Sequence, residues 1–185
     1  MYEEPSNQES GMRNFLIIVV SLMITMSGFA QRATMSVCGI KMGTPKEDAK
    51  SMLRDRFGYS AVGEESGNLT VYDGSVGGIS HQFMTFYFAW INGKSLFNGA
   101  LLSTPFELSQ QKEAIDHREI IKSVYERKYD IVEYKNDDGF KSYWFEKYGE
   151  LCGYTTIQKS KSKDGKTRLY TVVFYYGPYS ETDDI

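Results

Sequence analysis

Polar and apolar residues alternate in two rhythms along this chain. Between Lys46 and Phe57 the apolar side chains Ala49, Met52, Leu53 and Phe57 recur at helical spacing. Thr44, Pro45 and Glu47 form a helix-start signal, with Thr44 as the expected N-cap and Pro45 as the first helical residue. Gly58 supplies the expected stop. A second helical pattern begins near Ser109 and runs to about Lys128, with Ala114, His117, Ile121, Val124 and Tyr125 as its core stripe. Most of the rest alternates with a period of two, as strands do. Leu69 and Val71 oppose Tyr72, and Tyr170, Val172, Phe174 and Tyr176 interleave with Leu169, Thr171, Val173 and Tyr175.

Turn signals divide the strands. Asn92-Gly93 and Asp164-Gly165 read as hairpin tips, and Asp73-Gly74 and Asp138-Gly139 as further turns. Thr44 and Ser109 lie 65 residues apart (109 − 44), as do Asp73 and Asp138 (138 − 73). That spacing points to a duplication over about 39–103 and 104–179. The expected fold is α+β: two tandem helix-then-antiparallel-strand units forming one antiparallel sheet, with the helices on one face.

The stretch Gly39-Ile40-Lys41-Met42-Gly43-Thr44-Pro45-Lys46-Glu47-Asp48-Ala49, leading to Leu53 and Phe57-Gly58, resembles the opening of exported bacterial domains of the small outer-membrane assembly lipoprotein type. The tandem helix-plus-sheet plan is similar to that of β-lactamase inhibitor proteins. The resemblance implies an exported α+β fold. It transfers no target, because function is carried by sites rather than folds. The lipoproteins have a single unit and a lipid anchor, and the inhibitors carry cysteine pairs within each half. This chain has one cysteine per half, and Met35-Ser36-Val37 before Cys38 is no lipidation signal.

One apolar run is neither helix stripe nor strand. Phe15–Met26 is preceded by Arg13 and followed by Ser27-Gly28-Phe29-Ala30. This is the layout of a secretory signal peptide over residues 1–30, with cleavage expected between Ala30 and Gln31. The run is shorter than the ~20 residues that span a bilayer. Glu3, Glu4 and Glu9 make an unusually acidic leader, so Met12 is an alternative start. Residues 31–185 are then expected to form a single exported domain, periplasmic or secreted, with no transmembrane segment. An oxidising compartment would let Cys38 and Cys152 pair; two buried free thiols are the alternative.

Charge and motif content narrow the chemistry. Removing Arg13, Glu3, Glu4 and Glu9 from 21 basic and 24 acidic side chains leaves 20 against 21, which argues against nucleic acid as a partner. Gly93-Lys94-Ser95 lacks the earlier glycine and following helix of a phosphate-binding loop. Ser75 among glycines is out of register for a nucleophile elbow. His81 and His117, the only histidines, have no metal-spaced neighbours in sequence. No catalytic, cofactor or metal residues are assigned. Lys159, Lys161, Lys163, Lys166 and Arg168 suit an exposed hairpin that resists edge-to-edge pairing, or an anionic contact.

What remains is aromatic. A sheet covered on one face must turn one of its alternating sets outward, so a binding face is expected among Tyr143, Trp144, Phe145, Tyr148, Tyr170 and Tyr176. Phe86, Phe88 and Trp90 raise the same possibility in the first half. The expected function is non-catalytic binding of an unknown protein or envelope component. Envelope assembly through the basic hairpin and sheet edge is the alternative, and an enzyme the third reading.

Overall fold

The computed structural model describes residues 35–162 and 164–178. The expected signal peptide, its cleavage site at Ala30 and Gln31, Lys163 and the acidic tail lie outside these residues. A small ribbon, β1 (Ser36–Val37) and β2 (Ile40–Lys41), leads into helix α1 (Lys46–Phe57). Four strands follow: β3 (Val62–Glu65), β4 (Asn68–Val76), β5 (Ile79–Ile91) and β6 (Lys94–Phe106). Helix α2 (Gln111–Tyr125) then precedes β7 (Asp130–Lys135), β8 (Lys141–Lys147), β9 (Glu150–Lys161) and β10 (Thr167–Tyr176). The eight long strands form one antiparallel sheet in the order β3-β4-β5-β6-β10-β9-β8-β7. The last strand of each group meets the other at the centre, where Thr171 pairs with Thr104 and Val173 with Leu102. The described residues therefore form an α+β fold, with a large antiparallel sheet and two α-helices.

Directly opposed residues of antiparallel strands project from the same face. One row runs Val71, Met84, Leu102, Val173, Thr155, Tyr143 across β4, β5, β6, β10, β9 and β8. All six side chains are buried. The same core contains Ala49 and Leu53 of α1 and Ile121 of α2. Near the end of α2, Tyr125 stacks on Phe145 with ring centroids 4.4 Å apart and planes 9° from parallel. Gly153 lies between Phe145 and Tyr175 in the paired row, close against the β10 backbone. A Cβ at Gly153 would collide with the Phe174 carbonyl oxygen. Gly153→Ala is expected to cost about 2–3 kcal/mol through forced strand displacement, read as a lowered urea midpoint.

Several expectations need correction. The cap of α1 is at Pro45, not Thr44, and no side chain bonds the helix start. Thr44 is held instead by the sheet, where its carbonyl accepts the Phe97 N–H at 2.8 Å. Asp73-Gly74 is not a turn, because β4 runs through it to Val76 and the reversal falls at Gly77-Gly78. Asp73 has φ +53 inside a β4–β5 register that is the same on either side of it, and beyond it Gly74 faces Met84 and Phe57. Asn92-Gly93 is the hairpin tip expected, with φ +49 and +73 as a type I′ turn requires. The buried stripe of α2 includes Arg118, whose Nη1 donates to the Lys141 carbonyl at 2.9 Å and Nη2 to Glu119 Oε1 at 2.6 Å.

The disulfide is not formed, and Cys38 and Cys152 are both thiols. Cys38 sits in the tight β1–β2 turn with φ +57, its carbonyl accepting from Arg56 Nη1 at 3.2 Å. Burial pushes its thiol up to about 11, partly offset by Arg56. Cys152 occupies an irregularity of β9 and donates weakly to the Glu150 carbonyl at 3.5 Å. Each is fixed in a separate element. Among the described residues no helix is long and apolar enough to cross a membrane.

Candidate functional site: an aromatic sheet face

The alternating positions project from the other side of the sheet. There the row Thr70, Thr85, Leu101, Phe174, Tyr154, Trp144, Val132 crosses seven strands. Beside it lie Tyr72, Phe83, Ser103, Val172 and Thr156 on one flank, and Tyr87, Gly99 and Tyr176 on the other. None of these positions carries a charge. The rings touch in sequence: Tyr134–Trp144 at 5.2 Å, Trp144–Tyr154 at 6.1 Å, Tyr154–Phe174 at 5.8 Å and Phe174–Tyr87 at 6.1 Å. Tyr176 caps the line, 4.9 Å from Phe174 in edge-to-face contact. Gly99 lies between Tyr87 and Tyr176 and has no side chain to separate Tyr87 from Phe174.

Most of these rings are half-buried, and Tyr134, Tyr72 and Phe83 are more exposed, at 50%, 49% and 36%. The floor between them is tight and satisfied. Ser142 donates to Thr156 Oγ1 at 2.7 Å, and Asn136 Nδ2 donates to the Ile157 carbonyl at 2.7 Å. Partial burial raises the phenols of Tyr87 and Tyr154, so both remain neutral O–H groups at physiological pH.

One end of the face deepens into a cleft of about 870 Å³. Tyr72, Phe83, Phe106 and Tyr170 form its aromatic walls, with Gln82 and Gln110 among its polar groups. The β9–β10 hairpin closes one side and is braced by Arg168. That guanidinium donates to Glu107 at 3.0 Å, Asp164 at 2.8 Å and Ser162 Oγ at 2.6 Å. The Ser162 hydroxyl, the Lys166 N–H and Arg168 hold the Asp164 carboxyl down at about 2. Arg168, expected to add to a basic patch, is thus paired with two carboxylates.

The six expected face residues separate. Trp144, Tyr170 and Tyr176 lie on the aromatic face. Tyr143 and Phe145 do not: they are buried against α2, 3% and 1% exposed. Tyr143 donates its hydroxyl to Glu119 at 2.8 Å, and burial together with that bond pushes it up to about 12. Tyr148 is 81% exposed at the β8–β9 tip with φ +53, an unfavourable backbone for a bulky residue. In the first half Phe86 is core, Phe88 packs against it, and Trp90 is 64% exposed near a hairpin end. The rows add Tyr87, Tyr134, Tyr154 and Phe174, which only strand register could assign.

His81 of β5 and His117 of α2 come together, their ring centroids 6.0 Å apart. Phe106 packs on His117 at 5.6 Å. Neither Nδ1 has a hydrogen-bond partner. Among the described residues no group of three or more His, Cys, Asp and Glu is placed to hold a metal ion. Ser75 and the Gly93-Lys94-Ser95 turn lie in or beside strand hairpins.

The sequence matches no protein-family model, and no curated protein or solved structure matches it. The fold and the aromatic face therefore carry the functional argument unaided.

Proposed function

We propose that this chain is an exported, non-catalytic binding protein whose ligand lies on the uncharged aromatic face of the sheet. The observation that carries this reading is the continuous line of rings from Tyr134 through Trp144, Tyr154 and Phe174 to Tyr87. Such rings give large, rigid contacts at low entropic cost, which suits recognition better than solubility. On this reading both helices cover one face and leave the other open.

The same reading makes the chain two helix-plus-four-strand units. Support comes from the positive-φ turn glycines: Gly67, Gly78 and Gly93 recur as Gly139, Gly149 and Gly165, at 139 − 67 = 72, 149 − 78 = 71 and 165 − 93 = 72 residues. The spacing is longer than the one the helix caps suggest. Two such units joined through β6 and β10 create a face twice as wide as either alone.

Two results test the proposal. Capture of the native ligand from envelope or medium is expected to succeed with the unsubstituted chain and with Trp90→Ala. It is expected to fail with Trp144→Ala/Phe174→Ala, which leaves the helix side untouched. Capture by the double variant at full strength contradicts the reading. For export, mass spectrometry of the chain recovered from its own host is expected to find Gln31, or its cyclised form, at the N-terminus; an intact Met1 or Met12 sinks that part.

A further inference from the structure

We infer that the ligand of the aromatic face is a neutral polysaccharide, laid along the row of rings with one end in the cleft. The inference rests on the binding reading above and adds the chemistry of the occupant.

Charge is the first argument. The row of rings and its two flanks carry no charge; charge gathers only at the cleft, where Glu65, Glu107, Lys161, Asp164 and Arg168 stand and Arg168 is already held by Glu107 and Asp164. An anionic polymer would find no free guanidinium in that brace, and a cationic one no carboxylate along the row. A neutral polymer needs neither.

Rings and hydroxyls also stand side by side on this face. A sugar ring has flat C–H faces that stack on aromatic side chains and a rim of O–H groups that need partners. Thr70, Thr85 and Ser103 stand in the rows beside the rings, and Tyr87 and Tyr154 keep their phenolic O–H. Serine is depleted at protein–protein interfaces, and Ser and Thr are scarce among their hot spots. A face that interleaves rings with Ser and Thr favours a hydroxyl-bearing ligand over a protein.

Shape is the third. The row runs from β5 to β7 across five strand spacings, about 24 Å at ~4.8 Å each. It suits an extended chain more than a compact molecule. The cleft, at about 870 Å³, has room for an end group. Tyr72, Phe83 and Tyr170 can stack on it while Gln82 and Gln110 bond its hydroxyls.

The test is affinity electrophoresis of the folded chain in native gels cast with laminarin, hydroxyethylcellulose or mannan, and with polygalacturonate as the anionic arm. At least one neutral polymer is expected to retard the protein. Raising salt to about 1 M, where screening acts within about 3 Å, is expected to leave that retardation unchanged. Trp144→Ala and Tyr170→Ala are each expected to weaken it about tenfold, as loss of a central aromatic contact does, and Trp90→Ala to leave it intact. Retardation by no neutral polymer, or by polygalacturonate alone in a salt-sensitive way, overturns the inference. If a captured protein ligand is instead lost on Trp144→Ala/Phe174→Ala, the polysaccharide is wrong and the face reading stands. If no ligand responds to those substitutions, both fall.

Discussion

Phe145→Ala is expected to destabilise the protein by about 3–5 kcal/mol, while Trp144→Ala beside it costs about 1 kcal/mol. The two residues are consecutive, aromatic and on the same strand. Their environments differ completely. Phe145 is 1% exposed, stacked on Tyr125 at 4.4 Å and packed against Tyr129 at 6.0 Å. Truncating it opens a cavity beneath α2 and strips the Tyr125 ring of its partner. Trp144 faces away from that core, with Tyr134 and Tyr154 as its ring neighbours. Its removal loses cross-strand contacts that water can partly replace. The ligand phenotype runs the other way: Trp144→Ala is expected to lose binding with the fold intact. Paired urea titrations decide the matter. Equal costs at the two positions would mean that a second layer covers the outer face.

The second large effect is acid destabilisation through the histidine pair. His81 is 3% exposed and its Nδ1 is unpartnered. Burial, and secondarily the neighbouring His117, hold its imidazole down from 6.5 to about 4. His117 is lowered by burial as well, with the Ser80 backbone opposing. The sign follows from linkage. A group that is harder to protonate in the folded state leaves stability complete above pH 6.5, the unfolded value. Stability is then lost as pH falls from 6.5 through 4, because the unfolded chain takes up the proton first. His81 alone accounts for roughly 3 kcal/mol across that window. Glu64 and Asp164, both held at about 2, begin to lose their own contributions only near their unfolded values of 4.5 and 3.8, so the His81 share is read between pH 6.5 and 5. Urea titrations from pH 7 to 4 are expected to show a falling midpoint that flattens markedly in His81→Gln. An unchanged slope in that variant would mean that His81 accepts its proton without strain in the folded state.

Much of the fold is readable from local pattern. Both helices announce themselves by spacing, and Asn92-Gly93 forces a type I′ reversal wherever alternating strands flank it. Asp73-Gly74 misleads because Asp tolerates a positive φ within a strand as well as in a turn. The choice was made by Gly77-Gly78, three residues further on, which closes the hairpin and lets β4 continue. Thr44 looks like a cap but is claimed by a long-range bond to Phe97, which no local signal records.

The face of the sheet is less legible, for a definite reason. In β8 and β10 both alternating sets are aromatic, so hydrophobicity cannot say which set is core. The choice between Tyr143 with Phe145 and Trp144 is made by α2, whose Tyr125 takes Phe145 as its stacking partner. The line of rings is hidden further because its members come from β5, β7, β8, β9 and β10 and meet only through pairing registers. The histidine pair is invisible for the same reason, since a strand residue and a helix residue 117 − 81 = 36 positions apart meet only in the fold.

On the proposed function the aromatic face is open to solvent until ligand covers it. Acrylamide quenching of Trp144 tests it most directly, in a Trp90→Phe chain where Trp144 is the sole tryptophan. Ready quenching of the free protein at every concentration, falling when ligand is added, is the predicted result. An indole shielded from the outset, or quenching that no ligand changes, would contradict the account.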